Sequence, residues 1–228
     1  EKKANEVFSM LVYITLIFGS VIFVLAEIFM PQIAKVLGAD ENMIEYCILY
    51  GRIISISSIP FMLQVMFQSF MVTAGKPQIG LAITIIAGIT NIILDFLFVG
   101  IFKWGLVGAA VATVTGESIG GFAPLIYFFS KNSSSLRLCK TKFDGRALLK
   151  TCGNGSSELM TNISVNLVNM MYNLQLMKYY GEDGVATYGT IMYINFLFTS
   201  VFIGYSIGSS PIVGYNYGSK NYKELQNI

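Results

Sequence analysis

The 228-residue chain is 54% apolar and only 12% charged, with a mean hydropathy of +0.62 and a formal net charge of +2. Soluble domains carry about 25% charged residues, so this composition excludes an ordinary soluble domain and predicts an all-α polytopic membrane protein with the lipid bilayer as its first partner. The sequence contains no histidine, which removes His-based acid/base chemistry, Ser-His triads and most zinc sites.

Six apolar stretches predict membrane-spanning helices, at 8–30, 46–72, 78–102, 106–129, 147–177 and 185–215. A hydrocarbon core about 30 Å thick needs about 20 helical residues to cross it. Ahead of the first stretch stand Glu1, Lys2 and Lys3 with no Met, and the last ends in a polar segment reaching Ile228, so both ends read as cut from a longer chain. Glu27 lies close enough to the end of the first span to reach the interface, and no function is expected of it. In the second span Pro60 predicts a kink. Gln64 and Gln68 share a face there, with Met66, Met62 and several phenylalanines around them. Flexible thioethers, aromatics and a few amides suit adaptable binding of apolar or cationic organic molecules, and equally suit plain helix packing.

The third span carries Asn91 and Asp95, four residues apart and therefore on one face. A carboxylate near the middle of a spanning helix costs roughly 3 kcal/mol on insertion scales. Asp95 is accordingly read as a polar or ion site facing the protein interior, with a buried, hydrogen-bonded Asp as the alternative. Lys103, Trp104 and Gly105 make a short turn into the fourth span, so these two helices are antiparallel. Thr113 and Asp95 then lie at one depth, about 10–12 Å from the outer surface. An oxygen cluster of Asp95, Asn91, Thr113 and the Ala109 backbone carbonyl would suit Na⁺, or a proton on the carboxylate. Gly108, Ala112, Gly116 and Gly120 repeat every four residues and form a ridge that allows close helix approach. Glu117 is a further intramembrane acid, four residues after Thr113.

Residues 130–146 form the one long connection, with Asn132, the serines 133–135 and five basic residues, and read as a linker between two helix groups. The fifth span is the most polar. Glu158, Asn162, Asn166, Asn169 and Asn173 make one continuous stripe that faces either a water-filled cavity or another helix. Glu158 is a second candidate carboxylate, and Gly153, Asn154 and Gly155 should loosen the start of its helix. The sixth span holds Gly204, Gly208 and Pro211, with Tyr215 and Tyr217 as interfacial anchors. The cysteines Cys47, Cys139 and Cys152 are widely spaced and fit neither a disulfide framework nor a CxxC metal pattern.

Alternate connections hold 11 of the 15 basic residues, including Lys76, Lys131, Arg137, Lys140, Lys142, Arg146, Lys150, Lys220 and Lys223. The opposite side carries Asp40, Glu41, Glu45, Glu182 and Asp183. By the positive-inside rule the basic side is cytoplasmic, which places the 131–146 linker and both ends of the chain there, in a cell membrane.

Asn91 to Asp95, the run Gly108-Ala109-Ala110-Val111-Ala112-Thr113, and the closing Pro211-Ile212-Val213-Gly214-Tyr215-Asn216-Tyr217-Gly218 together resemble the multidrug and toxic compound extrusion (MATE) family over essentially the whole chain. The stretches from Gly153 to Glu158 and from Asp183 to Ala186 look like its Gram-positive branch. The resemblance implies helices three to eight of a twelve-helix, two-lobe transporter. Residues 1–130 would be the last four helices of the N-lobe and 147–228 the first two of the C-lobe. It also implies export of organic cations, drugs or toxic compounds, driven by inward Na⁺ or H⁺, with no other cofactor. Asn91, Asp95 and Thr113 match three of the four residues of an N-lobe ion site in some members, and the fourth, an Asp on helix one, would belong to the missing helices of the same chain. Two other functions stay in view. A flippase for lipid-linked or polysaccharide precursors would need a basic cavity. An intramembrane enzyme would need paired acids, and only one Asp lies deep inside a span. Neither enzymatic activity nor a nucleic-acid partner is expected.

Overall fold

The structure, a computed structural model, describes residues 2–36, 44–130 and 134–226. The acidic loop residues Asp40 and Glu41 and the linker residue Lys131 lie outside the described residues. Every regular element among the described residues is helical: α1 (Lys2–Val36), α2 (Ile44–Ser55), α3 (Ser58–Thr73), α4 (Pro77–Asp95) running into a π-helical stretch (Phe96–Ile101), α5 (Gly105–Phe129), α6 (Gly145–Gly218) and the short α7 (Tyr222–Leu225). The chain divides into two compact units, Glu1–Phe143 and Asp144–Ile228.

Among the described residues four helices are long and apolar enough to cross a bilayer, at Lys2–Val36, Pro77–Ile101, Gly105–Phe129 and Asp183–Gly218, and α2 with α3 makes a fifth if the bent pair counts as one span. Five of the six expected spans therefore coincide with such helices. The other, 147–177, is helical but falls short of that apolarity, because the Glu158 and asparagine stripe interrupts it. The second span bends by 47° between Ser55 and Ser58, ahead of Pro60. The hydroxyl of Ser57 donates to the Ile54 carbonyl at 2.8 Å, so side chains compete with the backbone ladder there. Pro60 falls in the first turn of α3, where a missing N–H leaves no helical bond unmade.

In the first unit α5 packs against α2, α3 and α4, and α1 against α2 and α3. The core lies where α1 begins and α3 and α5 end. Phe8, Phe67 and Phe128 are fully buried there, with Phe8 edge-on to Phe128 at 5.0 Å and Phe67 stacked on Phe128 at 5.5 Å. Glu27 accepts a hydrogen bond from the Ser55 hydroxyl at 2.6 Å and pairs with Arg52 at 3.6 Å, tying α1 to α2.

The described part of the expected linker is held against α1. Leu136 is buried in the aromatic core. The Arg137 amide donates to Asn5 Oδ1 at 3.1 Å, the Cys139 amide to Ser9 Oγ at 2.9 Å, and the Thr141 hydroxyl to the Glu6 carbonyl at 2.7 Å. Ser9 is fully buried. Replacing Ser9 by Ala leaves the Cys139 N–H without its acceptor, at a cost of about 1–3 kcal/mol. The expected result in the full-length protein is faster trypsin cleavage at Arg137 and Lys140. Cleavage at the wild-type rate would show that the strap is held elsewhere.

The second unit is two helical arms, 145–180 and 182–218, meeting at Gly181, whose φ of 65° and ψ of −155° only glycine adopts without strain. Asp144 caps the first arm, accepting from the Arg146 and Ala147 amides. Across the bend, Tyr172 stacks on Tyr188 at 5.5 Å and the Tyr188 hydroxyl donates to Asn169 Oδ1 at 2.8 Å.

Candidate functional site

A cavity of about 250 Å³ opens between α3, α4 and α5. Small residues bring α4 and α5 into close contact at its edge: a Cβ on Gly116 would come within 2.9 Å of the Asn91 Cβ and 3.2 Å of the Ala87 carbonyl oxygen. Around the cavity stand Gln64 from α3, Thr84 and Asn91 from α4, and Thr113 and Glu117 from α5. No Lys or Arg is among its lining residues.

The hydroxyl protons at this wall are already committed. Thr113 donates to the Ala109 carbonyl at 3.0 Å and Thr84 to the Gly80 carbonyl at 3.0 Å, each one turn back along its own helix. Both threonines therefore offer lone pairs to the cavity. Two further acceptors, Gln64 Oε1 and Glu117 Oε2, are buried without a hydrogen-bond partner. Burying an unpaired polar atom costs about 1–3 kcal/mol, and a full oxygen wall of this kind suits a donor or a cation.

The expected ion ligands are placed as follows. Asn91 and Thr113 share the cavity. The Ala109 carbonyl holds the Thr113 hydroxyl. Asp95 is half-buried, is not among the lining residues, and has no hydrogen-bond or ion-pair partner among the described residues. It closes the last α-helical turn before the π-helical stretch Phe96–Ile101. Single π turns of this kind are frequent at functional sites. Beyond that stretch Phe98 stacks on Trp104 at 4.9 Å, and Lys103 and Gly105 take φ of 55° and 57° to turn the chain into α5.

Gln64 and Gln68 do share a face: both border a small gap toward Gly80, Thr84 and Gly120. Met66 sits two residues off that face. Its sulfur accepts from the Thr15 hydroxyl at 3.5 Å, and its side chain packs on the aromatic core rather than with the glutamines.

In the second unit the polar stripe turns back on its own helix. The Asn162 amide donates to the Glu158 carbonyl at 2.9 Å and weakly to its carboxylate at 3.4 Å, and the Asn166 amide donates to the Asn162 carbonyl at 2.8 Å. Glu158, Asn162, Asn166 and Asn173 are exposed within this unit, and Asn169 alone reaches the other arm, through Tyr188. A cleft of about 510 Å³ beside the Gly181 bend is lined by Leu176, Tyr180, Thr187 and Tyr188 among others, and by none of the expected site residues. Among the described residues no group of three or more His, Cys, Asp or Glu side chains is placed to hold a metal ion.

Asn91, Thr113 and Gln64, all singled out in the sequence, share this cavity wall, and Glu117, to which the sequence assigns no role, joins them. Its spacing of four from Thr113 puts both on one face of α5, and what the sequence does not state is that Gln64 of α3 meets that face.

The MatE family model matches residues 1–97 and 159–228. The chain is 27% identical over 227 residues to a protein of Staphylococcus haemolyticus named multidrug export protein MepA, covering 99% of this chain and 50% of that one. It is also 27% identical over 230 residues to the probable multidrug resistance protein YoeA of Bacillus subtilis, covering 95% of this chain and 49% of that one. Among solved structures, a MOP superfamily transporter from Pyrococcus furiosus, described as having a binding pocket of reverse polarity that suggests a different function, superposes with a TM-score of 0.87 at 19% identity. That match covers 99% of this chain and 50% of the other. The chain thus spans about half the length of the relatives it matches.

Proposed function

We propose, from the premise that this chain belongs to the MATE family and is a multi-pass membrane protein, that the full-length protein is a cation-coupled antiporter. It exports organic cations, drugs or other toxic compounds by alternating access between two lobes. The observation that carries this reading is the cavity between α3, α4 and α5, whose wall holds one carboxylate, two amides and two threonines and no basic side chain. A wall of that polarity fits a positively charged cargo and an inorganic cation in turn. It does not suit the basic cavity that a flippase for anionic lipid-linked precursors needs, so the transporter reading is preferred within the superfamily.

Asp95, with Asn91, Thr113 and the Ala109 carbonyl, is the proposed coupling site for Na⁺ or H⁺. Glu158 is a second carboxylate available to the other lobe. Binding of a cation at Asp95 from the outside and its release inside would bias the lobes toward opposite openings, and cargo would leave in exchange. The basic linker and both ends of this chain lie on the cytoplasmic side in this scheme.

The test uses the full-length protein in vesicles, with ethidium transport followed under an imposed Na⁺ gradient and separately under a pH gradient. Transport under one gradient and not the other is the expected result and identifies the ion. Absence of transport under both gradients would overturn the drug-export reading and send the search to lipid-linked cargo.

A further inference from the structure

Among the described residues Glu117 is the one acid that lines the cavity, and neither the proposed ion site nor the packing uses it. Its Oε2 is buried and unpartnered, as is Gln64 Oε1 on the facing helix. The threonine hydroxyls beside them donate elsewhere, to Gly80 and Ala109. No Lys or Arg is among the described residues of the wall to return a positive charge. The space, about 250 Å³, is several times the roughly 30 Å³ that one water occupies in the liquid. It is therefore large for a bare inorganic ion and suited to the head of an organic molecule.

We propose that Glu117 and Gln64 form the recognition site for the cationic nitrogen of the exported compound: Glu117 supplies the counter-charge and Gln64 Oε1 a second acceptor for its N–H groups. This rests on the exporter reading and adds to it the residue that selects for positive charge. Glu117 lies one turn along α5 from Thr113, so cargo held there sits beside Asn91 and Thr113, and cargo and coupling ion compete for one polar region. Charge-assisted hydrogen bonds are about twice as strong as neutral ones, which makes the carboxylate the larger contributor of the two acceptors.

The experiment measures ethidium affinity, by fluorescence, of the full-length protein in lipid nanodiscs with no ion gradient, alongside gradient-driven ethidium transport in vesicles. Glu117→Gln keeps the size and removes the charge, and is expected to weaken binding about tenfold, a change equivalent to about 1.4 kcal/mol. Glu117→Asp keeps the charge and shortens the arm, and should bind ethidium more tightly than Glu117→Gln. A residue that only packs would give the reverse order. Should the Glu117 variants fail to fold, Gln64→Met removes the other acceptor at similar volume and is expected to weaken binding as well. Wild-type affinity in a folded Glu117→Gln or Gln64→Met variant of a protein that still transports ethidium would overturn this assignment and leave the exporter reading intact. A wild-type protein that neither binds nor transports ethidium would overturn both.

Discussion

Asp95→Asn in the full-length protein is expected to reduce gradient-driven ethidium efflux to the passive leak while making the protein more stable, by up to about 3 kcal/mol. The two halves of this result come from one observation. Asp95 is half-buried in a helix that is long and apolar enough to span a membrane, and it has no hydrogen-bond or ion-pair partner among the described residues. A carboxylate so placed opposes insertion and is given nothing in return by its neighbours, so asparagine, neutral and of the same shape, removes a cost. Residues kept at the expense of stability are the ones whose replacement separates function from folding. A structural Asp, one that holds α4 to its neighbour, would behave in the opposite way, with a lower unfolding temperature in detergent and efflux reduced only in proportion to the folded fraction. Efflux at the wild-type rate under both gradients would remove Asp95 from the coupling site altogether.

Much of this architecture was legible before any coordinates. Apolar runs of spanning length and the short turns between them gave α1, α4, α5 and the second arm of α6, since hydropathy alone decides where a helix can meet lipid. The four-residue spacings held in part. Gln64 and Gln68 face one way, and Asn91 and Thr113 border one cavity across an antiparallel pair, whereas Asp95, the residue expected at the depth of Thr113, is not among the residues lining it. The bend expected from Pro60 is found in the turn ahead of it, at the carbonyl its ring displaces, and the hydroxyls of the serines there bond back to the α2 carbonyls. Where the reading went astray, tertiary contacts made the decision. Met66 was grouped with the glutamines by composition, although a spacing of two on a helix places it off their face, toward Thr15. The run after Ser130 reads as a linker between two helix groups, and the sequence does not show its three side-chain bonds to α1, because they cross more than a hundred residues. Glu117 was visible as an acid, but its nearness to Gln64 depends on how closely α3 approaches α5, which no local pattern states.

That approach is set by two adjacent glycines, and they should respond to substitution in different ways. A Cβ on Gly121 would run into the Pro60 carbonyl oxygen, and would lie 2.7 Å from its Cα and 2.8 Å from its carbonyl carbon. All three are backbone atoms, so no rotamer change relieves the contact and α3 must move away from α5. A Cβ on Gly120 would meet Gln64 instead, at 2.5 Å from Oε1 and 2.6 Å from Cδ. That is the far end of a flexible side chain, and it can swing aside. Gly121→Ala is therefore expected to destabilise the full-length protein by about 3 kcal/mol, toward the upper end of the overpacking range, seen as a lowered unfolding temperature in detergent. Gly120→Ala should cost less than about 1 kcal/mol, but it drives Gln64 from its place on the cavity wall and should weaken ethidium binding in a protein that still folds. Gly100→Ala, where the nearest atom would be a Phe96 ring carbon at 3.6 Å, serves as the reference for the cost of a methyl group alone. Equal unfolding temperatures for the Gly120 and Gly121 variants would contradict this account of the α3–α5 contact. If they differ as expected, the ridge of small residues has two separable tasks: Gly121 fixes the distance between two helices, and Gly120 leaves room for the amide that lines the space between them.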